Sequence, residues 1–88
     1  MKTILFYWSR GADTRVKLML LIAKSEKSGK PCYINTLAAA LKLSHVAIMK
    51  HLELLIDEKY VKILNPGGKP QYLALTPEGK KVAREFSS

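Results

Sequence analysis

Apolar side chains recur every three or four positions over residues 16–23, which is the spacing of one face of an α-helix. Asp13 or Thr14 can cap the start of this helix, because a short oxygen-bearing side chain accepts hydrogen bonds from the free amides of a first turn. The helix should end where Gly29 can adopt the left-handed conformation and Pro31 cannot continue the helix. The pattern therefore predicts a first helix that is buried around most of its circumference.

Two shorter helices are predicted in the next part of the chain, joined by a tight turn over residues 42–44. Residues 32–34 suit a very short strand, after which Asn35 can cap the second helix. Ser44 can cap the third helix, whose apolar face comprises Ile48, Leu52 and Leu55. At about 100° per residue, the opposite face comprises Val46, Lys50, Glu53 and Asp57, with Met49 beside them. The third helix should therefore pack with one face and expose the other.

The hydrophobic period changes to two after the third helix. Residues 61–63 and 73–75 flank the turn-rich segment 65–70, which predicts a β-hairpin with an extended tip. Residues 76–78, Thr-Pro-Glu, are typical of a helix start. The thin apolar stripe of that last helix comprises Val82, Ala83 and Phe86. Since no repeat or linker divides the chain, residues 1–88 are predicted to form one α+β domain.

The charge balance indicates a polyanionic partner. Fifteen Lys and Arg against seven Asp and Glu give a net charge of +8, and no acidic residue lies between Glu26 and Glu53. A surface without carboxylates suits a polyanion, and double-stranded DNA is the commonest one. The lysines expected to serve this surface are Lys27, Lys30, Lys42, Lys50, Lys62 and Lys69. With 48% hydrophobic and 25% charged residues, the composition is that of a globular protein.

Other functional classes are disfavoured by what the sequence lacks. The apolar run at residues 4–8 is shorter than the ~20 residues of a spanning helix or the roughly 7–15 of a signal-peptide core, so a cytoplasmic protein without a membrane partner is expected. His45 and His51 are six residues apart and face different directions, which disfavours a shared metal ion. No paired carboxylates, activated nucleophile or phosphate-binding glycine loop is evident, so neither an enzyme nor a cofactor is expected.

Two features bear on self-association. The aromatic cluster at residues 4–8 is predicted to lie outside the main core, so residues 1–12 are a predicted dimer contact, together with the apolar face of the last helix, residues 82–86. Cys32 is the single cysteine. It suits a small buried position at the start of a strand, and the alternative is a disulfide across a dimer axis.

The run LSHVAIMKHLELLIDEKYV, followed by a glycine-containing hairpin and then YLALTPEGKKV, resembles the winged helix-turn-helix of prokaryotic transcriptional regulators of the MarR, ArsR and PadR type. The resemblance extends from about Thr14 to Phe86. It implies a three-helix core with a β-hairpin wing and a C-terminal helix, in a homodimeric, sequence-specific regulator that binds double-stranded DNA. The recognition helix would be residues 44–55, in the major groove. The DNA-binding residues are then expected to be Lys42, Ser44, His45, Val46, Ala47, Met49, Lys50 and, at the wing tip near the minor groove, Lys69.

The chain departs from this family pattern in two respects. Metal-sensing members carry a cysteine-rich motif in the recognition helix, which this chain lacks, so thiolate metal sensing is not expected. Drug-responsive members have long flanking helices that form the dimer and its ligand pocket, and 88 residues leave no room for both, so no small-molecule effector is expected. A winged helix that binds only protein, and one that binds RNA, remain as alternatives. The basic, acid-free face disfavours the first, and the lack of an exposed aromatic platform disfavours the second.

Overall fold

The computed structural model of the chain describes residues 5–7 and 10–87. This part contains four helices and one two-stranded antiparallel sheet, in the order α1 (Ala12–Ser28), α2 (Ile34–Leu41), α3 (His45–Asp57), β1 (Val61–Ile63), β2 (Leu73–Leu75) and α4 (Pro77–Ser87). The arrangement confirms the predicted α+β fold, with a three-helix core, a hairpin wing and a C-terminal helix.

The core surrounds α1, which packs against α3, α4 and β2. Side chains from α1 and α3 that are almost wholly buried include Leu18, Met19, Ile22, Ile48, Leu52 and Leu55. Removal of each such side chain from water contributes about 1.5–3 kcal/mol to folding. The two predicted apolar faces, on α1 and on α3, are therefore the faces that meet in the interior.

The end of α1 confirms the prediction, whereas its start differs. Gly29 follows the last turn in the left-handed conformation, with φ of 70°, and its N–H donates to the carbonyl of Glu26. At the other end the helix begins at Ala12 after Gly11, and neither Asp13 nor Thr14 caps it. Gly11 has φ of 85°, and a Cβ there would lie 2.5 Å from Cε1 of His51. A contact with α3 thus fixes where α1 starts, and Asp13 instead pairs with Lys17 at 3.2 Å.

Residues 32–34 do not form the predicted strand. Ile34 is already the first residue of α2, and the backbone link to the sheet is one hydrogen bond, from the N–H of Leu73 to the carbonyl of Cys32 at 2.8 Å. The next free amide on that edge of β2, the N–H of Leu75, donates to a carboxylate oxygen of Glu26 at 3.0 Å. A side chain from α1 therefore satisfies the amide that a third strand would have paired.

The start of α2 also differs from the prediction. Its cap position is Tyr33 rather than Asn35, and Oγ1 of Thr36 accepts a hydrogen bond from the Tyr33 N–H at 3.1 Å. This is the return half of a capping box, in which the third helical residue satisfies the backbone of the cap residue. Asn35 lies inside the first turn, so its side chain is available for a contact outside the helix.

The wing is a short hairpin with a braced tip. Val61 pairs with Leu75 and Ile63 with Leu73. At the tip, the amide side chain of Asn65 accepts from the N–H of Tyr72 at 2.7 Å and donates to the carbonyl of Pro70 at 3.1 Å. These bonds replace strand pairing across the turn, so a long, turn-rich loop still holds a defined shape.

The prediction that the N-terminal aromatic cluster lies outside the core is wrong for Phe6. Phe6 is 5% exposed and packs edge-on against Tyr60, with ring centroids 5.1 Å apart. Its ring centroid is also 6.2 Å from that of Phe86 on α4. Tyr7 is exposed beside Phe86, whereas Ile4 and Trp8 lie outside the described residues. Part of the segment assigned to a dimer contact is therefore used to complete the core of its own chain.

Cys32 is buried, at 3% exposure, as the first interpretation of this residue predicted. The hydroxyl of Thr36 points to its sulfur at 4.0 Å, and burial raises the pKa of the thiol. An intersubunit disulfide would require this sulfur to leave the core.

Candidate nucleic-acid interface

The third helix, α3, is fixed at its first turn by Ser44. As predicted, Ser44 is the cap residue, and its Oγ accepts from the N–H of Ala47 at 3.1 Å. Because the inner face of α3 is held in the core, the opposite face projects outward: Val46 is 65% exposed and Met49 is 37% exposed. Lys50 is exposed on the same face. The predicted orientation of α3 is confirmed.

The remaining predicted site residues differ in how freely they project. Ala47 is half-buried, and its short side chain projects little from the surface of α3. Lys42 is exposed at the end of α2, and its backbone is left-handed, with φ of 57°, so it also forms the turn between the two helices. Lys69 is exposed at the wing tip. The structure thus places these residues on α3, on the turn before it and on the wing.

His45, the first residue of α3, contacts Asn35 of α2 through its Nε2 and the Asn35 side-chain oxygen. The sequence had assigned Asn35 to a capping role, so this pair was missed. Both residues are exposed, and each lies in the first turn of its helix. Because the amides at helix starts attract anions, a pair of polar side chains at this point is well placed beside a phosphate.

An open cleft of about 460 Å³ separates these helix starts from the wing tip. Tyr33, Asn35 and His45 line one side, and residues 67–71, which include Lys69, line the other. Tyr33 also packs edge-on against Tyr72, with ring centroids 5.8 Å apart, which holds the wing against the start of α2. The structure therefore brings His45 and Lys69 to one surface although 24 residues separate them in the sequence.

The six lysines assigned to a single basic surface do not all share it. Lys30 and Lys62 line a separate concavity at the base of the wing, with Tyr72 and Leu73. Lys27 lines a groove between α1 and α4. The basic face that includes α3 consists of fewer lysines than the sequence suggested.

A buried arginine supports α3 from behind. Arg15 of α1 is 3% exposed, and its guanidinium donates to the carbonyls of Leu5 at 2.6 Å and Arg10 at 3.2 Å. It also contacts Nδ1 of His51 on α3 at 3.2 Å. His51 is half-buried, and burial, followed by the charge of Arg15, lowers its pKa. Arg15 thus joins the N-terminal segment, α1 and α3.

Stability is expected to decrease as the pH falls through the titration of His51. The folded chain favours the neutral ring, so the unfolded chain, with a pKa of about 6.5, binds the proton more readily. The contribution is therefore complete above about pH 6.5 and declines below it. Urea unfolding between about pH 7.5 and 5 should show this decline, and His51→Gln, which keeps an acceptor without titrating, should flatten it. An equally steep decline in His51→Gln, with His45→Gln as the matched control, would contradict the assignment.

The described residues contain no group of three His, Cys, Asp or Glu side chains that could hold a metal ion. No helix in this same part of the chain is long and apolar enough to cross a membrane.

The order of elements and the exposed face of α3 define a winged helix-turn-helix, and the comparisons with solved structures agree. ZitR of Lactococcus lactis in complex with DNA matches 82% of this chain at 23% identity, with a TM-score of 0.69. The adhesin competence repressor AdcR of Streptococcus pyogenes matches 93% at 20% identity, with a TM-score of 0.73. AF1382 of Archaeoglobus fulgidus matches 98% at 17% identity, with a TM-score of 0.78.

ZitR and AdcR are MarR-family winged-helix regulators. The match covers 47% of the ZitR chain and 56% of the AdcR chain, but 89% of AF1382. The chain thus spans about half the length of these two regulators. The sequence matches no protein-family model and no curated protein, so the likeness is one of fold.

Proposed function

We propose that this chain is a sequence-specific regulator of transcription that binds double-stranded DNA. The observation that carries the proposal is the outward face of α3, which is exposed, basic and free of carboxylates over its first two turns. A recognition helix of this shape enters the major groove, because that groove admits a helix and displays the edges of the bases. The solved complex of ZitR, which has the same fold, with DNA supports this assignment.

Most of the affinity would come from the phosphate backbone. Lys50 lies at the centre of the exposed face and can reach a phosphate or pair with the edge of a guanine. Val46 and Met49 can contact thymine methyl groups. Since few side chains on this face can form hydrogen bonds with bases, part of the sequence preference would follow from DNA shape.

The wing would contribute a second contact. Lys69 is exposed at the braced tip, on the far side of the cleft from His45 and Asn35. A DNA backbone that passes this cleft would meet the helix starts on one side and the wing on the other, with Lys69 near the adjacent minor groove. Asn35 and His45 would then contact a phosphate and set the register of α3 on the duplex.

The chain would bind as a homodimer, because one recognition helix with its wing covers only half of a two-fold-related site. The surface available for this pairing includes Tyr7, which is exposed, and the half-buried side chains of Val82 and Phe86. Tyr7 and Phe86 already pack together, with ring centroids 5.4 Å apart, so they form one patch on each chain. A patch of this kind suits an isologous contact.

Fluorescence anisotropy with a duplex DNA and a single-stranded RNA of equal length tests the proposed function. Duplex DNA should bind at least about tenfold more tightly, since the exposed face offers a groove-reading helix and no aromatic platform for unpaired bases. Analytical ultracentrifugation of the complex should give two chains per duplex. Equal or tighter binding of RNA would support the RNA-binding alternative, and no binding to either would support a module that contacts only protein.

A further inference from the structure

A groove of about 810 Å³ runs between α1 and α4, away from the proposed DNA contacts. Its floor is largely apolar and includes Leu20, Ala23, Leu75, Ala83 and Phe86. The two alanines face this groove from different helices and leave a depression that larger side chains would fill. The floor therefore offers room for an apolar side chain supplied by another molecule.

The rim of this groove is basic. Its exposed cations are Lys24, Lys27, Lys80 and Arg84. In the described residues the ion pairs of α1 and α4 are Lys17 with Asp13 and Lys81 with Glu78, so none of the four is neutralised by an ion pair there. Glu26 also lines the groove, but one of its carboxylate oxygens accepts the hydrogen bond from Leu75. The groove thus has an apolar floor and a rim with four exposed cations.

The groove faces away from the recognition helix. Arg15 of α1 contacts His51 of α3, and Lys24 lies nine residues further along the same helix. At about 100° per residue, the two side chains project from opposite sides of α1. A duplex bound across α3 and the wing would therefore leave the groove open.

We propose that this groove binds an acidic amphipathic helix of a protein partner. Its apolar stripe would enter the depression between Ala23 and Ala83, and its carboxylates would meet the lysine and arginine rim. The segment from Leu20 to Lys27 is about two helical turns long, so the partner segment needs only two to three turns.

A second copy of this chain is a poor occupant, because pairing through the groove would bring both sets of cations together. The patch assigned to the homodimer shares Phe86 with the groove floor, but Arg84 of the rim follows Val82 of the patch by two residues and projects about 200° away from it. The rim cations tested below therefore lie outside the homodimer patch. The proposed docking does not depend on DNA binding.

The test is binding of a fluorescein-labelled peptide with leucines on one helical face and glutamates elsewhere, measured by anisotropy on the full chain. The double variant Lys24→Glu/Arg84→Glu should bind it about tenfold more weakly or worse, because it replaces two attractive charges by repulsive ones. The matched control Lys50→Glu/Lys69→Glu carries the same change in net charge. This control should retain peptide binding and lose duplex DNA binding. The Lys24→Glu/Arg84→Glu variant should lose peptide binding and retain duplex DNA binding.

Four outcomes would overturn the proposal. The first is that a scrambled peptide of identical composition binds equally well, and the second is that duplex DNA competes with the peptide for its site. The third is that both double variants lose peptide binding equally. The fourth is that the Lys24→Glu/Arg84→Glu chain changes its oligomeric state in ultracentrifugation. The last would show that the groove is a contact between copies of this chain. If the unmodified chain binds the peptide but does not bind duplex DNA, only the proposed regulator function is contradicted.

Discussion

Affinity for duplex DNA is expected to fall on the order of a thousandfold when the salt concentration rises from about 50 to about 200 mM. The proposed interface consists mainly of lysines beside phosphates, and each neutralised phosphate adds close to one unit to the slope of log affinity against log salt. About six contacts per dimer are enough for a change of this size. Anisotropy over a salt series, on a specific and a scrambled duplex, measures it. An affinity that does not respond to salt would exclude the proposed surface.

Two single variants should separate the contributions of the wing and the recognition helix. Lys69→Ala should weaken binding to every sequence about equally and reduce the salt slope by roughly one unit per subunit. Lys50→Ala should also relax the preference at one position of each half-site, at a cost of about 1–3 kcal/mol, if Lys50 pairs with a guanine. Lys81→Ala, which removes an exposed lysine on α4, serves as the matched control. If Lys69→Ala and Lys50→Ala each weaken binding no more than Lys81→Ala does, the DNA site does not lie on α3 and the wing.

Replacing Gly79 with alanine is expected to lower the free energy of unfolding by about 2–3 kcal/mol. Gly79 is buried in the first turn of α4, and a Cβ there would lie 2.0 Å from the backbone oxygen of Tyr60. That oxygen also accepts the N–H of Thr76 at 3.0 Å, so α4 cannot move away without breaking this bond. The prediction opposes intrinsic propensity, which favours alanine over glycine in a helix by about 1 kcal/mol.

Urea denaturation of Gly79→Ala measures this effect, and Lys80→Ala is the matched control because Lys80 is the next residue of the same helix and is exposed. The control should change the free energy of unfolding by no more than about 0.5 kcal/mol. An alanine at position 79 that stabilises the chain would mean that α4 does not approach Tyr60 as closely as described.

Several local elements followed directly from the sequence. Gly29 ends α1, Ser44 begins α3, and the switch from helical to alternating spacing marks the wing. The outward face of α3, with Val46 and Lys50, followed from the helical period alone. Each depends on neighbours within a few residues, and short-range geometry of this kind is encoded by residue type and spacing.

Other features depended on contacts between distant parts of the chain. No strand forms at residues 32–34, where Ile34 already begins α2, and Glu26 accepts a hydrogen bond from the amide of Leu75, 49 residues away. Asn35 contacts His45 instead of capping its own helix, and Phe6 enters the core because Tyr60 and Phe86 form a site for its ring. For Phe6 a contact between distant parts of the chain decided the outcome, whereas at the start of α2 the local capping box of Tyr33 and Thr36 took the cap position expected for Asn35.

The sequence by itself determined the order of the four helices and the hairpin, the exposed basic face of α3 and the positive charge of the chain. The tertiary structure alone decided which lysines share a surface, that Arg15 is buried against α3, and that a basic groove lies on the opposite side of α1. The reason is physical: periodicity specifies which face of a helix is apolar, but only packing specifies which helix that face meets and which charged side chains are left together at the surface.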